Sequence, residues 1–225
     1  MYTSPLNYSD FLDSLNAIER KVAPEELFFE GDLNLLFEGI RVSVVGSRQL
    51  SEAGIRRTRI VIDNLVKMGV TVVSGLAIGA DTIAHESTIE KGGKTIAVLG
   101  TSLDKCNPSR NLKLLNHIKK HHLAVSQFPQ ESKTFPSNFP KRNLTMALFS
   151  DATIIIEATE KSGTRHQAWE AIKLGRQVFI LENVIKDSNV EWAKKALSYG
   201  AHIMTRDNIE WLIQELCETS VLLSE

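Results

Sequence analysis

The sequence predicts an α/β fold: a doubly wound, mostly parallel sheet of the extended Rossmann-like kind, with helices on both faces. Three observations carry this. Two β-branched runs, Val42–Val45 and Val70–Val73, each end in a small-residue turn, Gly46-Ser47-Arg48 and Ser74-Gly75-Leu76. Between them Ile55, Ile60, Val61, Leu65 and Met68 recur at helical spacing, so the stretch reads as a strand–helix–strand unit with a parallel sheet. The same alternation continues to the C-terminus. In Ala152–Ala158, ATIIIEA, apolar residues run without interruption, as they do in strands covered on both faces.

Taken in order, residues 1–21 suggest an amphipathic helix with Phe11, Leu12, Leu15 and Ile18 on one face and Asp10 as its cap. Residues 22–40 carry a proline, two glycines and clustered apolar residues, and read as an irregular lead-in against the sheet edge. Thr82–Lys91 forms a helix stopped by Gly92-Gly93, and Lys94–Gly100 a strand. Pro108 opens a third helix, since proline suits the first helical turn. Leu123–Phe128 is a short strand. Residues 129–140 hold three prolines and read as a long loop, a length that is often functional. Lys141–Phe149 is helical. Ser162 is placed to cap a helix running to Leu174 and ended by Gly175. Gln177–Glu182 is a strand, Val190–Leu197 a helix, and Ala201–Thr205 a last strand. Asp207 is placed to cap a final helix through Leu216. The organisation is residues 1–40 packing on a core domain of residues 41–225.

Composition bounds the function. The net charge is −1, with 26 Lys and Arg against 27 Asp and Glu, which excludes global electrostatic capture of nucleic acid. Any polyanion must be held by local clustering. The two cysteines, Cys106 and Cys217, lack metal-ligand spacing and read as free thiols of a cytoplasmic protein. No apolar run is long enough to span a membrane, and no signal peptide opens the chain. Scattered His85, His166 and His202 point to no metal, and no cofactor is expected. A P-loop, a nucleophile elbow and the dinucleotide fingerprint are all absent.

A parallel sheet puts all its strand carboxyl ends on one edge, where ligands bind. Here that edge collects Gly46-Ser47-Arg48, Ser74-Gly75-Leu76, Gly100-Thr101-Ser102 and Glu157-Ala158-Thr159, next to helix N-termini whose N–H groups favour anions. The nearby cations are Arg48, Lys141, Arg142 and Arg165. The nearby acids are Asp81, Glu157, Glu160 and Glu182, which are available to pair with them. Both outcomes, phosphate capture and internal pairing, are open at this point.

In order along the chain, ELFFEGDLNLL, VSVVGSR, SGLAIGADTIAH, TIAVLG with NPSRN, SQFP, FPKRN, IIIEA and SGTRHQA resemble the DprA/Smf family of DNA-processing proteins. That family sits within the wider Rossmann-like group that includes the LOG nucleotide hydrolases. The resemblance implies a single-stranded DNA-binding protein, not an enzyme, acting in DNA processing and recombination. It also implies a homodimer that helps load the recombinase RecA, or a trimmed module used in phage defence. Carried onto this sequence, Arg48 and Arg142 contact phosphates, with Lys141 as a further contact. Gly46, Ser47, Gly75, Gly79 and Asn143 shape the pocket, and Ser162, Gly163, Thr164 and Arg165 complete it. Asp81 holds its turn. The chain departs from the family pattern at Asn143-Leu144, where a cation is usual, with Arg165 positioned to restore the charge. Two rivals are a sensor of a nucleotide-derived ligand and a LOG-like nucleoside monophosphate hydrolase. For the latter, Gln167 stands where a catalytic acid is required, and an amide is no general base; Glu170 lies one turn further on.

Overall fold

The computed structural model describes residues 15–222, with the side chains of 219–222 left out. Eight strands form one sheet: β1 (Phe28–Gly31), β2 (Arg41–Val45), β3 (Thr71–Ser74), β4 (Thr95–Leu99), β5 (Leu123–Ser126), β6 (Ala152–Ile155), β7 (Gln177–Leu181) and β8 (His202–Met204). Their spatial order is β1-β5-β4-β3-β2-β6-β7-β8, parallel throughout except for β1, which runs antiparallel to β5. The helices are α1 (Ala17–Val22), α2 (Glu52–Lys67), α3 (Ala80–Glu90), α4 (Leu112–His121), α5 (Asn138–Leu148), α6 (Thr164–Lys173), α7 (Glu182–Lys186), α8 (Glu191–Leu197) and α9 (Ile209–Leu222). No helix among the described residues is long and apolar enough to cross a membrane.

Alternate residues of each strand feed opposite faces, and both faces are covered. Val42, Val44, Ile154, Ile156 and Phe179 pack under α2 and α9 with Ile62, Leu65 and Ile213. Val45, Ile155, Val178 and Ile180 turn the other way, onto Met146, Ala168 and Trp192. This is why ATIIIEA shows no alternation: the two layers are equally dry. From β2 the chain winds outward through β3, β4 and β5, then returns to the other side of β2 with β6, β7 and β8. The winding therefore reverses between β2 and β6, and the loops leaving those two strands diverge there. Such a switch point leaves a crevice outside the strand ends.

Several elements differ from the sequence expectation. The lead-in at 22–40 contains β1, which hydrogen-bonds along β5, and its Phe29 is buried in the main core. The N-terminal helix expected over 1–21 lies largely outside the described residues, as do Asp10, Phe11 and Leu12. Within them α1 starts at Ala17, capped by Asn16 in a capping box with Glu19, and Ile18, expected on the apolar face, is 62% exposed. Glu19 instead faces inward, where its carboxylate pairs with Arg176 at 2.5 Å. Pro108 caps a short 3-10 turn, Ser109–Asn111, before α4 begins. Ser162 does not cap α6: Gly163 holds the N-cap position, and the buried Ser162 hydroxyl has no partner among the described residues. Nor does Asp207 directly precede α9, which starts at Ile209 with Leu212 N–H donating to Asn208 O at 2.9 Å.

Candidate functional site

The switch point is bounded by the loop after β2 and the loop after β6, which are tied together. Ser47 N–H donates to Glu157 O at 2.7 Å. The Glu157 carboxylate accepts from Ser51 N–H at 3.1 Å and from Ser51 Oγ at 2.6 Å. Ser51 Oγ in turn caps α2 by accepting from Gly54 N–H at 2.9 Å. Residues 46–51 are thus held at both ends, and Arg48 projects from the middle. It is exposed, its guanidinium lies 5.7 Å from the centre of the Phe139 ring, and it forms no ion pair among the described residues.

A groove of about 110 Å³ runs past Arg48, with Gly46, Asp81, Phe139, Asn143, Gly163 and Thr164 on its walls. Arg48 and Phe139 also border a second hollow of about 170 Å³ beside Gly75 and Pro108. The pair therefore stands between two recesses. Gly163 and Thr164 bring the start of α6 to the groove, where the helix dipole favours an anion, although the N–H groups of Arg165 and His166 already donate to Ser162 O at 3.2 Å and Gly163 O at 3.0 Å.

Arg142 corrects the expectation of a second exposed phosphate ligand. Its α5 begins at Asn138, inside the segment expected to be a loop, and Asn138, Arg142, Thr145 and Met146 form that helix's buried stripe. Arg142 is only 5% exposed. Its Nη1 donates to Gly75 O and, at 2.9 Å, to Val98 O, while Nε donates to Asn143 Oδ1 at 3.1 Å. The guanidinium thus clamps the carboxyl ends of β3 and β4. Burial pulls its pKa down, opposed by the nearby Asp81 carboxylate. Asp81 is buried too and accepts from Gly75 N–H at 3.2 Å and Ala77 N–H at 3.3 Å, holding the turn as expected. Burial pushes the Asp81 pKa up, and Arg142 and those two bonds oppose it.

The glycines do their work against protein atoms. A Cβ at Gly75 would overlap the Arg142 guanidinium, and one at Gly46 would lie 2.8 Å from Ala80 Cβ. Gly79, at φ +83°, sits under the Ser47–Arg48 backbone, where a Cβ would come 2.7 Å from Arg48 O. Only glycine combines that conformation with that closeness. All three shape the groove by letting its walls meet.

Of the remaining residues, Lys141 is exposed on the neighbouring face of α5 and forms no ion pair among the described residues. Arg165 is exposed but lies 3.9 Å from Glu160. Asn143 links the two sides, accepting from Arg142 and donating to Gly163 O at 3.4 Å. The acids are largely occupied: Glu157 by Ser51, Glu160 by the N–H of Glu191 at 2.9 Å, and Glu182 by Lys186 at 2.7 Å. Two features of the site, the position of Phe139 and the backbone of Leu76, escaped the sequence reading. Phe139 meets Arg48 only through the tertiary fold, and the one local signal was the start of α5, hidden by the prolines around it. Leu76 adopts φ +57° while fully buried, and nothing in its residue type announces that.

The fold is of the extended Rossmann type, and its winding reverses beside a groove that holds an exposed arginine and a helix N-terminus. The chain belongs to the DNA recombination-mediator protein A family, whose model matches residues 5–216. It is 32% identical over 202 residues to the DNA processing protein DprA of Bacillus subtilis, covering 90% of this chain and 67% of that protein. It is 37% identical over 183 residues to the DprA of Streptococcus pneumoniae, covering 81% and 64%. The chain thus spans about two thirds of the length of these curated relatives. A solved structure of DNA processing protein A from Helicobacter pylori, described for its single-stranded DNA binding mode, superposes with a TM-score of 0.80 at 26% identity, covering 97% of both chains.

Proposed function

We propose that this protein binds single-stranded DNA at the carboxyl edge of its sheet, gripping backbone phosphates with Arg48 and Lys141. The dipole at the start of α6 favours the same negative charge, and Arg165 adds a charge partly offset by Glu160. The observation that carries the reading is Arg48: an exposed guanidinium without a carboxylate partner, on a loop fixed at both ends beside a groove. Arg142 acts as a positioning residue, fixing the floor on which the strand lies. The family, and the single-stranded DNA binding for which the Helicobacter pylori relative is described, support the same reading. Titration of a fluorescent oligonucleotide tests it: Arg48→Ala lowers affinity at least tenfold, and unchanged affinity overturns the assignment.

The reading is non-enzymatic. Gln167 occupies the position a hydrolase fills with an acid, and Glu170 lies outside the groove, paired with Lys173 at 2.7 Å in a neighbouring depression. No hydrolysis of a nucleoside monophosphate is expected. A part in DNA processing and recombination follows from the family. Homodimerisation, RecA loading and phage defence extend that reading, supported by family membership alone. Sedimentation and a recombinase-loading assay test the first two, and phage challenge of cells with and without the protein tests the third.

A further inference from the structure

Apart from the two recesses beside Arg48, a larger hollow opens on the same edge of the sheet, beyond the carboxyl ends of β7 and β8, and the single-strand reading leaves it unused. It encloses about 430 Å³, within the roughly 300–1,000 Å³ of small-molecule sites. Its floor is apolar: Ile60 and Val61 from α2, Leu181 and Met204 from the strand ends, and Ile209 from α9. Ile60 lines it while remaining 44% exposed, an open hydrocarbon surface on the charged outer face of α2.

The rim is positive. Lys186 is neutralised by Glu182 at 2.7 Å, whereas Arg57 and Arg206, which also line the hollow, form no ion pair among the described residues. Arg206 sits in a fixed turn: Thr205 N–H donates to Asn208 Oδ1 at 2.7 Å, and Asn208 N–H returns a bond to Thr205 Oγ1 at 3.3 Å. Asn183 donates its amide to Ile156 O at 3.2 Å, which leaves its Oδ1 as an acceptor on the rim. An inorganic anion has no use for the apolar floor, and a purely apolar ligand has none for two arginines. An anion with a flat apolar body satisfies both.

We propose that this hollow binds a nucleotide, with its base on the Ile60–Met204 floor and its phosphate between Arg57 and Arg206. The nucleotide has two possible sources, a free mononucleotide or a later residue of the strand held at Arg48. The second is within reach, since β2 and β8 stand three strand spacings apart, roughly 14 Å. Only that second source rests on the single-strand reading.

The test is calorimetric titration of AMP into the intact protein, the Arg57→Ala/Arg206→Ala double variant and Arg48→Ala, with circular dichroism to confirm folding. Strands of about 6 and about 20 nucleotides are titrated in parallel. A free-nucleotide site predicts that AMP affinity falls roughly tenfold or more in the double variant and is kept in Arg48→Ala. A strand site predicts no AMP binding, and a loss of roughly tenfold in the double variant for the long strand but not the short one. If the double variant matches the parent for both AMP and the long strand, or if AMP binding depends on Arg48 instead, the proposal is overturned. Loss of strand binding in Arg48→Ala reports on the first groove alone, so the two readings fail separately.

Discussion

The guanidinium of Arg142 fills the space that a side chain at residue 75 would need, and donates to the carbonyl of that same glycine. A buried cation, a glycine corner and the carboxylate of Asp81 form one unit beneath the groove, and Arg48 stands above it. On the proposed reading the floor is structural and the rim meets the strand, so variants of the two arginines should behave differently.

Removing Arg142 strips the charge that offsets the buried Asp81 and leaves the carbonyls of Gly75 and Val98 without their donor. Breaking such a buried arrangement by deleting one partner costs about 3–5 kcal/mol. Arg142→Ala is therefore expected to lower the denaturation midpoint substantially, and Gly75→Ala to do the same by displacing the guanidinium. Chemical denaturation of both variants checks this; stability equal to the parent would contradict the clamp.

Glu157 separates positioning from electrostatics. It is an acid tied to the loop that carries Arg48, so on charge alone Glu157→Ala should tighten DNA binding. The carboxylate also holds Ser51, the N-cap of α2, through two hydrogen bonds that the variant loses, while the backbone carbonyl that accepts from Ser47 N–H is kept. The expected outcome is weaker binding with a stability loss of about 1–3 kcal/mol, the usual scale for charge-assisted hydrogen bonds. Oligonucleotide titration and thermal denaturation read the two quantities.

Acid should destabilise the fold through two buried histidines. His85 is fully buried and bonds through Nδ1 to Thr95 Oγ1 at 2.7 Å; burial lowers its pKa from 6.5 to about 3. Burial and the neighbouring His117, Lys94 and His121 lower that of His122 to about 4. In both cases the unfolded chain binds the proton more tightly. The stabilisation is therefore complete above pH 6.5 and is lost as pH falls from there towards 4 and 3. His85 contributes up to about 1.4 kcal/mol per pH unit within its window, and His122, which is more open to solvent screening, contributes less. Urea denaturation between pH 7.5 and about 4 measures the slope, and His85→Gln should flatten it.

Much of this was legible in the sequence. The parallel strands announced themselves by β-branched runs ending in small-residue turns, and the carboxyl edge followed from topology alone. Arg48 was legible because its position is set locally, directly after a strand. Arg142 was legible as a residue near the site but not as a buried one. Its orientation depends on where α5 starts, and Pro129, Pro136 and Pro140 disguised that start as loop. β1 was obscured because FFEG is short, and its partner β5 lies far along the chain. The meeting of Arg48 with Phe139 leaves no local trace in either segment.

The most direct test of the account is the salt dependence of single-strand affinity in the parent and in Arg48→Ala. Each phosphate neutralised contributes a slope of roughly −0.7 in log affinity against log salt. Two free cations predict a slope of roughly −1.4 for the parent, steeper if Arg165 also engages, and a slope shallower by roughly 0.7 for Arg48→Ala. Identical slopes in the two proteins, with equal affinity at every salt concentration, would contradict the claim that Arg48 holds the strand.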